Sequence, residues 1–134
     1  MATSKITITG LVATTPRHLI TTDGLPITSF RLADSDGYIS PSDGKFKEHT
    51  NWYTITSFRQ LGINTAGSIM KGERISVTGS LIIRDWDNGE RAGTSVEIEA
   101  DSISHDLSYG NSAFTRNVLV REKFPALEPE PEIV

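Results

Sequence analysis

The chain has no cysteine, which removes disulfides and thiolate metal sites together. Its 134 residues must therefore be held by a hydrophobic core, and one domain of this length buries such a core without covalent staples. The length is too small for two ordinary domains. No apolar run approaches the roughly 18 residues that a membrane span needs. The opening MATSKITITG lacks the hydrophobic stretch of a signal peptide, and its apolar residues already alternate. These absences predict a chain that stays in a reducing cytoplasm and has no membrane partner. Aromatic residues are scarce at 7%, so the position of each one carries information.

Positive charge is also short, with a net charge of −4. Its distribution matters more than its sum. From Glu122 onward there are four acids (Glu122, Glu128, Glu130, Glu132) and one base, Lys123, leaving −1 for residues 1 to 121. A nearly neutral body presents a basic face only if its acids are sorted elsewhere. Composition thus neither supports nor excludes a polyanionic partner.

What is present is β-patterning. Lys5 to Ala13 alternates Ile6, Ile8, Gly10 and Val12 with polar neighbours, a half-buried strand. Asp23-Gly24 gives a turn, and PITSFRLAD (26–34) a second strand. Residues 34 to 50, rich in Asp, Ser, Gly and Pro, are expected to form a long mobile hairpin loop. NWYTITSFR (51–59) reads as a third strand. Between Gln60 and Gly72 the alternation stops, and Leu61, Ile63, Ile69 and Met70 suit one short helix, weakened by Gly62 and Gly67. Arg74 to Trp86 resumes the alternation, and Asp87-Asn88-Gly89 turns into a last strand over 94–104. The expected fold is all-β: a five-stranded OB-type barrel with one short helix between its third and fourth strands. The segment 109–120 is β-prone and open to being an extra C-terminal strand. The end, FPALEPEPEIV, is expected to be disordered.

Two strands carry unusual outer faces. In the third, period-2 alternation places Trp52, Thr54, Thr56 and Phe58 together, with Tyr53, Ile55 and Ser57 opposite. Two large aromatics spaced by threonines make a poor core stripe, because the hydroxyls would be buried. In the fourth, Ile75, Val77, Gly79, Leu81 and Ile83 form the inward set, and Arg84 and Trp86 fall on the polar side. A core role is the ordinary reading of any single tryptophan in a strand; here three aromatics recur on outward parity beside Thr and Arg. Aromatic platforms with adjoining cations suit single-stranded nucleic acid, where each stacked base contributes about 1–3 kcal/mol. Arg31, Arg59 and Arg84 are the candidate phosphate contacts, joined by Lys45 and Lys47 in the long loop with Tyr38 and Phe46. Phe30 stays unassigned.

Other chemistries find little support. Asp34-Ser-Asp36-Gly37 resembles the start of a calcium loop, but Tyr38 and Lys45 stand where ligands are needed. His18, His49 and His105 are scattered, without the spacing of a zinc site or a nucleophile's base. Asp85, Asp87 and Glu90 do not make a nuclease centre, since Asp87 lies in a turn. No phosphate-binding glycine loop is present. The expectation is a binding protein with no catalytic residue, metal or cofactor.

The stretch KEHTNWYTITSFRQLG, followed by MKGERISVTGSLIIRDW and SVEIEADSI, closely resembles the bacterial single-stranded DNA-binding proteins. Met70-Lys71-Gly72, Val77-Thr78-Gly79-Ser80-Leu81 and Arg84-Asp85-Trp86 fit that family's KG helix end, its V-x-G-x-L strand and its late Arg-x-Trp. The opening ITITGLVATTPR fits its first strand, and the match spans residues 3 to 107. The resemblance implies a tetrameric OB-fold protein that wraps single-stranded DNA around aromatic side chains. It places Trp52, Phe58 and Trp86 on the stacking positions, and Tyr38 where relatives often carry a tryptophan. Asp85 departs from the pattern, because a basic residue is common there.

The tail departs further, with LEPEPEIV in place of a long linker and an acidic, aromatic-tipped end. If it recruits replication or repair proteins, Glu128, Glu130, Glu132, Ile133 and Val134 are the hook. The expected organisation is a DNA-binding barrel over 1–107, an extension over 108–121 that packs on a neighbouring subunit, and an acidic tail over 122–134. The function implied is sequence-tolerant coating of single-stranded DNA in replication, recombination or repair, in the nucleoid-associated cytoplasm. Two rivals remain: an OB-fold adaptor acting through protein partners, and an RNA-binding OB module, since stacking and phosphate contact do not require the 2′-OH to be absent.

Overall fold

Period-2 alternation in the chain becomes a curved sheet with an apolar inside. The computed structural model describes residues 4–117. Its elements run β1 (Lys5–Val12), β2 (Arg17–Ile20), β3 (Pro26–Ile39), β4 (Phe46–Phe58), α1 (Arg59–Ser68), β5 (Arg74–Asp87) and β6 (Ala92–His105). The strand order is β1-β5-β6-β4-β3-β2, and β1 also meets β3 through Leu11↔Ala33 and Val12↔Leu32. That last pairing closes five strands into the expected barrel, with the helix on the link between β4 and β5. The seam between β4 and β6 is parallel and short: Thr54↔Glu97, Ile55↔Ile98 and Thr56↔Glu99.

Ile55, Ile75 and Val77, which the alternation turned inward, are buried. Val12, Phe30, Leu32, Ile55, Ile75, Val77 and Ile98 are buried at the centre, and Ile69 joins them from the end of α1. Burying side chains of this size contributes about 1.5–3 kcal/mol each. Phe30 is thus a core residue. Ile83, assigned inward, is instead exposed, because β5 has by then run past the barrel into a free hairpin. The helix has no side-chain cap and no acid in its first turn, so packing holds it rather than propensity. Thr28 Oγ1 donates to the Gly62 carbonyl at 2.6 Å, and Ser57 Oγ to the Thr28 carbonyl at 3.1 Å, which ties α1 to the barrel floor.

Three expectations change. Residues 34–50 are largely not a loop: β3 and β4 stay paired from Ile27↔Phe58 to Ile39↔Phe46, leaving only Ser40–Lys45 as the turn. Polar, glycine-rich composition masked a ribbon held by its backbone ladder and by a 2.8 Å Ser35–Thr50 hydroxyl bond. Arg17–Ile20, given no element by the alternation, pairs with β3 as an edge strand. Residues 106–117 form no strand in the single chain; Tyr109 lies over Arg74, 4.6 Å from guanidinium carbon to ring centre. The remaining extension and the tail hook lie outside the described residues. Among the described residues, no helix is long and apolar enough to cross a membrane.

Candidate nucleic-acid interface

Cross-strand pairs on a sheet share a face, so the register lays out the barrel's outer surface row by row. On β4, Trp52, Thr54, Thr56 and Phe58 lie opposite Ala33, Arg31, Ser29 and Ile27 of β3. Trp52 is 49% exposed, whereas Ile55 and Ser57 beside it are buried and Tyr53 packs against the core. The indole is therefore a surface platform. Arg31 lies diagonally across from it, its guanidinium carbon 5.5 Å from the ring centre and its Nη1 3.4 Å from Thr54 Oγ1. A cation over an exposed indole contributes about 0.5–1 kcal/mol and holds a positive charge at the rim of the ring. No carboxylate lies within ion-pair distance of Arg31 among the described residues. Phe58 is half-buried at the helix junction and offers less ring than Trp52.

On the far side of the seam, Arg84 and Trp86 share the outward face of β5, as expected. Trp86 pairs directly with Gly93 of β6 and lies down on it. A Cβ at Gly93 would fall 2.7 Å from the indole Cζ2, so a glycine is required for this ring position. The ring and the strand ends around it line an open hollow of about 500 Å³ with Asp85, Asp87 and Thr94. Thr94 Oγ1 donates to Asp85 at 3.0 Å, which keeps that acid on the hairpin.

Arg84 is not free. Its Nε donates to Glu97 Oε2 at 2.9 Å, and Glu97 stands between Ile82 of β5 and Thr54 of β4. Glu99, one pair further along, lies between Ser80 and Thr56. Two acids thus occupy the middle of the face between the tryptophans. The Val96-Glu97-Ile98-Glu99 alternation gave a signal for them; the strand they adjoin was not readable.

The remaining candidates scatter along the β3–β4 ribbon and the helix. Tyr38 pairs with Lys47 on the pleat face opposite Trp52's. Lys47 Nζ also reaches Asp43 at 3.5 Å. Lys45 belongs to the turn, with its backbone N–H held by Asp43 at 3.0 Å. Arg59 is the first helical residue rather than a strand edge, and it sits at φ 58°, a left-handed conformation that disfavours its side chain. No cluster of three or more metal-ligating side chains occurs among the described residues. A partly exposed carboxylate–imidazole pair lies elsewhere: Glu73 accepts from Met70 N–H at 2.8 Å and from His105 Nε2 at 3.1 Å. Burial pushes the Glu73 carboxyl up, but those two hydrogen bonds and the His105 charge outweigh it and hold it below the ordinary glutamate value.

Residues 3–106 match the Single-strand binding protein family. The chain belongs to that family. It is 48% identical over 114 residues to "Single-stranded DNA-binding protein 2" of Tropheryma whipplei (strain Twist), covering 84% of this chain and 75% of the relative. It is 34% identical over 132 residues to "Single-stranded DNA-binding protein 1" of Streptomyces coelicolor, covering 98% of this chain and 84% of the relative. The crystal structure of the small single-stranded DNA-binding protein from Streptomyces coelicolor superposes with a TM-score of 0.71 at 35% identity, over 82% of this chain and all of that one. Within the single-strand binding family, then, this member carries, among its described residues, an outer face with the exposed indoles of Trp52 and Trp86, Arg31 without an ion-pair partner, and Arg84 held by an acid.

Proposed function

We propose that the chain binds single-stranded DNA with little sequence preference, coating it stoichiometrically and without catalysis. The observation that carries this reading is Trp52, half-exposed on the outward face with Arg31 beside its ring. Bases stack on Trp52, Trp86 and the exposed part of Phe58, and every base has a π-face to offer. Arg31, Arg59 and Arg84 meet phosphates, with Arg84 released from Glu97 as it does so. Tyr38, Lys45 and Lys47 are reached by a strand that wraps behind the ribbon. Duplex DNA binds poorly, because its base faces are hidden and the barrel offers no reading helix. The setting is replication, recombination or repair in the cytoplasm.

Self-association belongs to the same reading. β1 pairs with β5 along Lys5–Leu11 but meets β3 only at Leu11 and Val12, so among the described residues its other edge from Lys5 to Gly10 has no strand partner. An open edge of that length is a template for a second copy. Tetramer is the state the family resemblance implies, and sedimentation of the free protein reads it directly.

The deciding experiment is tryptophan fluorescence during titration with oligo-dT at low and high salt, with a matched duplex as control. Saturable quenching by the single strand alone, weakened by salt through counterion release, is expected. Unchanged emission from a folded oligomer would instead favour the adaptor, a reading that Glu97 and Glu99 on the same face support. Competition between matched DNA and RNA oligonucleotides separates the RNA-binding alternative.

A further inference from the structure

Both hairpins that leave the barrel carry an aromatic ring resting on a glycine. On the β5–β6 hairpin it is Trp86 on Gly93. On the β3–β4 ribbon it is Phe46 on Gly37, where an added Cβ would stand 2.7 Å from the ring's Cε2. The pairs Ala33↔Trp52, Ser35↔Thr50, Gly37↔Glu48 and Ile39↔Phe46 place Gly37 and Phe46 on the pleat face that carries Trp52. Tyr38, with Lys47, is on the other face. Phe46 is 70% exposed, so one side of its ring meets the backbone and the other meets solvent. An apolar ring held flat and open is the arrangement that gives Trp86 its place.

We propose that Phe46, seated on Gly37, is a base-stacking residue, and that bound single-stranded DNA runs outward from Trp52 along this face of the ribbon. The proposal rests on the single-stranded DNA reading above. Trp52 and Phe46 are six positions apart on β4, a span of about 20 Å for an extended strand. No Lys or Arg stands on this face of the ribbon between them; Thr50 and Glu48 do. Phosphates find nothing to hold here, and base faces do. The contribution of Phe46 is therefore independent of salt, in contrast to that of Arg31. A ring that only shields glycine backbone would stabilise the ribbon and leave DNA untouched.

Two measurements separate these roles. The first follows a labelled oligo-dT by anisotropy with the unaltered protein and with Phe46→Leu, which keeps an apolar cover over Gly37 and removes the π-face. The expected result is affinity lower by about fivefold or more, with an unchanged salt slope and an unchanged melting temperature. The second introduces Phe46→Trp into a protein carrying Trp52→Phe and Trp86→Phe, and the lone indole is expected to quench as oligo-dT saturates it. Full emission from that indole while anisotropy reports bound DNA would overturn the proposal. So would Phe46→Leu lowering the melting temperature with affinity intact. Failure of the unaltered protein to bind oligo-dT would remove the single-stranded DNA reading itself, and this proposal with it.

Discussion

Trp52 and Trp86 expose similar amounts of indole, 49% and 44%, yet the two halves of the outer face hold them by different means. On the β3–β4 half the ring has a cation beside it, Arg31, and no acid opposes that charge among the described residues. On the β5–β6 half the ring has a missing side chain beneath it, Gly93, and the nearby arginine is tied to Glu97. On the proposed function, the first half would combine stacking with phosphate attraction from the start. The second has its ring positioned in advance, while its arginine is held by a carboxylate that a phosphate would have to displace. On the proposed function, affinity on the first side would be electrostatic and salt-sensitive, and on the second it would come mainly from a fixed ring.

The largest effect is expected from Trp52→Ala. Oligo-dT affinity should fall by about 1–3 kcal/mol, with the melting temperature unchanged because the ring lies outside the core. Calorimetry and titration on the same sample check this; a joint collapse of melting and binding would return Trp52 to the core and erase the comparison. Gly93→Ala comes next. The added methyl evicts the Trp86 indole from its seat, so affinity should drop severalfold, and near-ultraviolet dichroism of the free protein should change without a loss of strand signal. Ring displacement with no change in binding would mean that preset geometry is unimportant on this half. Glu97→Gln should act oppositely and more weakly. It frees Arg84, tightens binding a few-fold, and steepens log affinity against log salt by roughly 0.7, the amount for one added phosphate contact to a single strand. An unchanged slope would show Arg84 taking no part.

The smallest effect concerns neither tryptophan. The Glu73 carboxyl is held low, so its contribution to stability is complete above the unfolded glutamate pKa and is lost as pH falls through the lower folded value. Glu73→Gln should flatten the acid limb of stability against pH and leave oligo-dT affinity at neutral pH unaltered. Because that side chain is partly exposed, the change is modest, and acid melting curves followed by far-ultraviolet dichroism are the check.

Much of this surface was legible in the sequence because alternation is a local rule. Trp52, Thr54, Thr56 and Phe58 on one face, and Ile75 and Val77 against Arg84 and Trp86, follow from period 2 without knowledge of any neighbour. The pairings were not legible. Glu97 reaches Arg84 through the register of the β5–β6 hairpin, and it adjoins Thr54 through a parallel contact between residues more than forty positions apart. The ribbon from Asp34 to Thr50 misled for another reason. Asp, Ser and Gly mark turns by their freedom, but Gly37 is there to admit the Phe46 ring, a demand visible only once Phe46 is known to lie above it. Tyr38 shares its stretch of sequence with Phe46 and by parity falls on the reverse face. Composition located the segment; register decided which aromatic faces Trp52.

The seam between β4 and β6 adds a dynamic consequence. Only Thr54, Ile55 and Thr56 pair with Glu97, Ile98 and Glu99, whereas the neighbouring antiparallel ladders run the length of their strands. A seam this short, formed between distant parts of the chain, opens more readily than the long ladders on either side of it, so its amides should exchange hydrogen faster than theirs. Trp52 lies on one bank of that seam and Trp86 on the other. A DNA strand stacked on both rings bridges the gap like a suture, and on binding the amides of Ile55 and Ile98 should gain more protection from exchange than any others in the barrel.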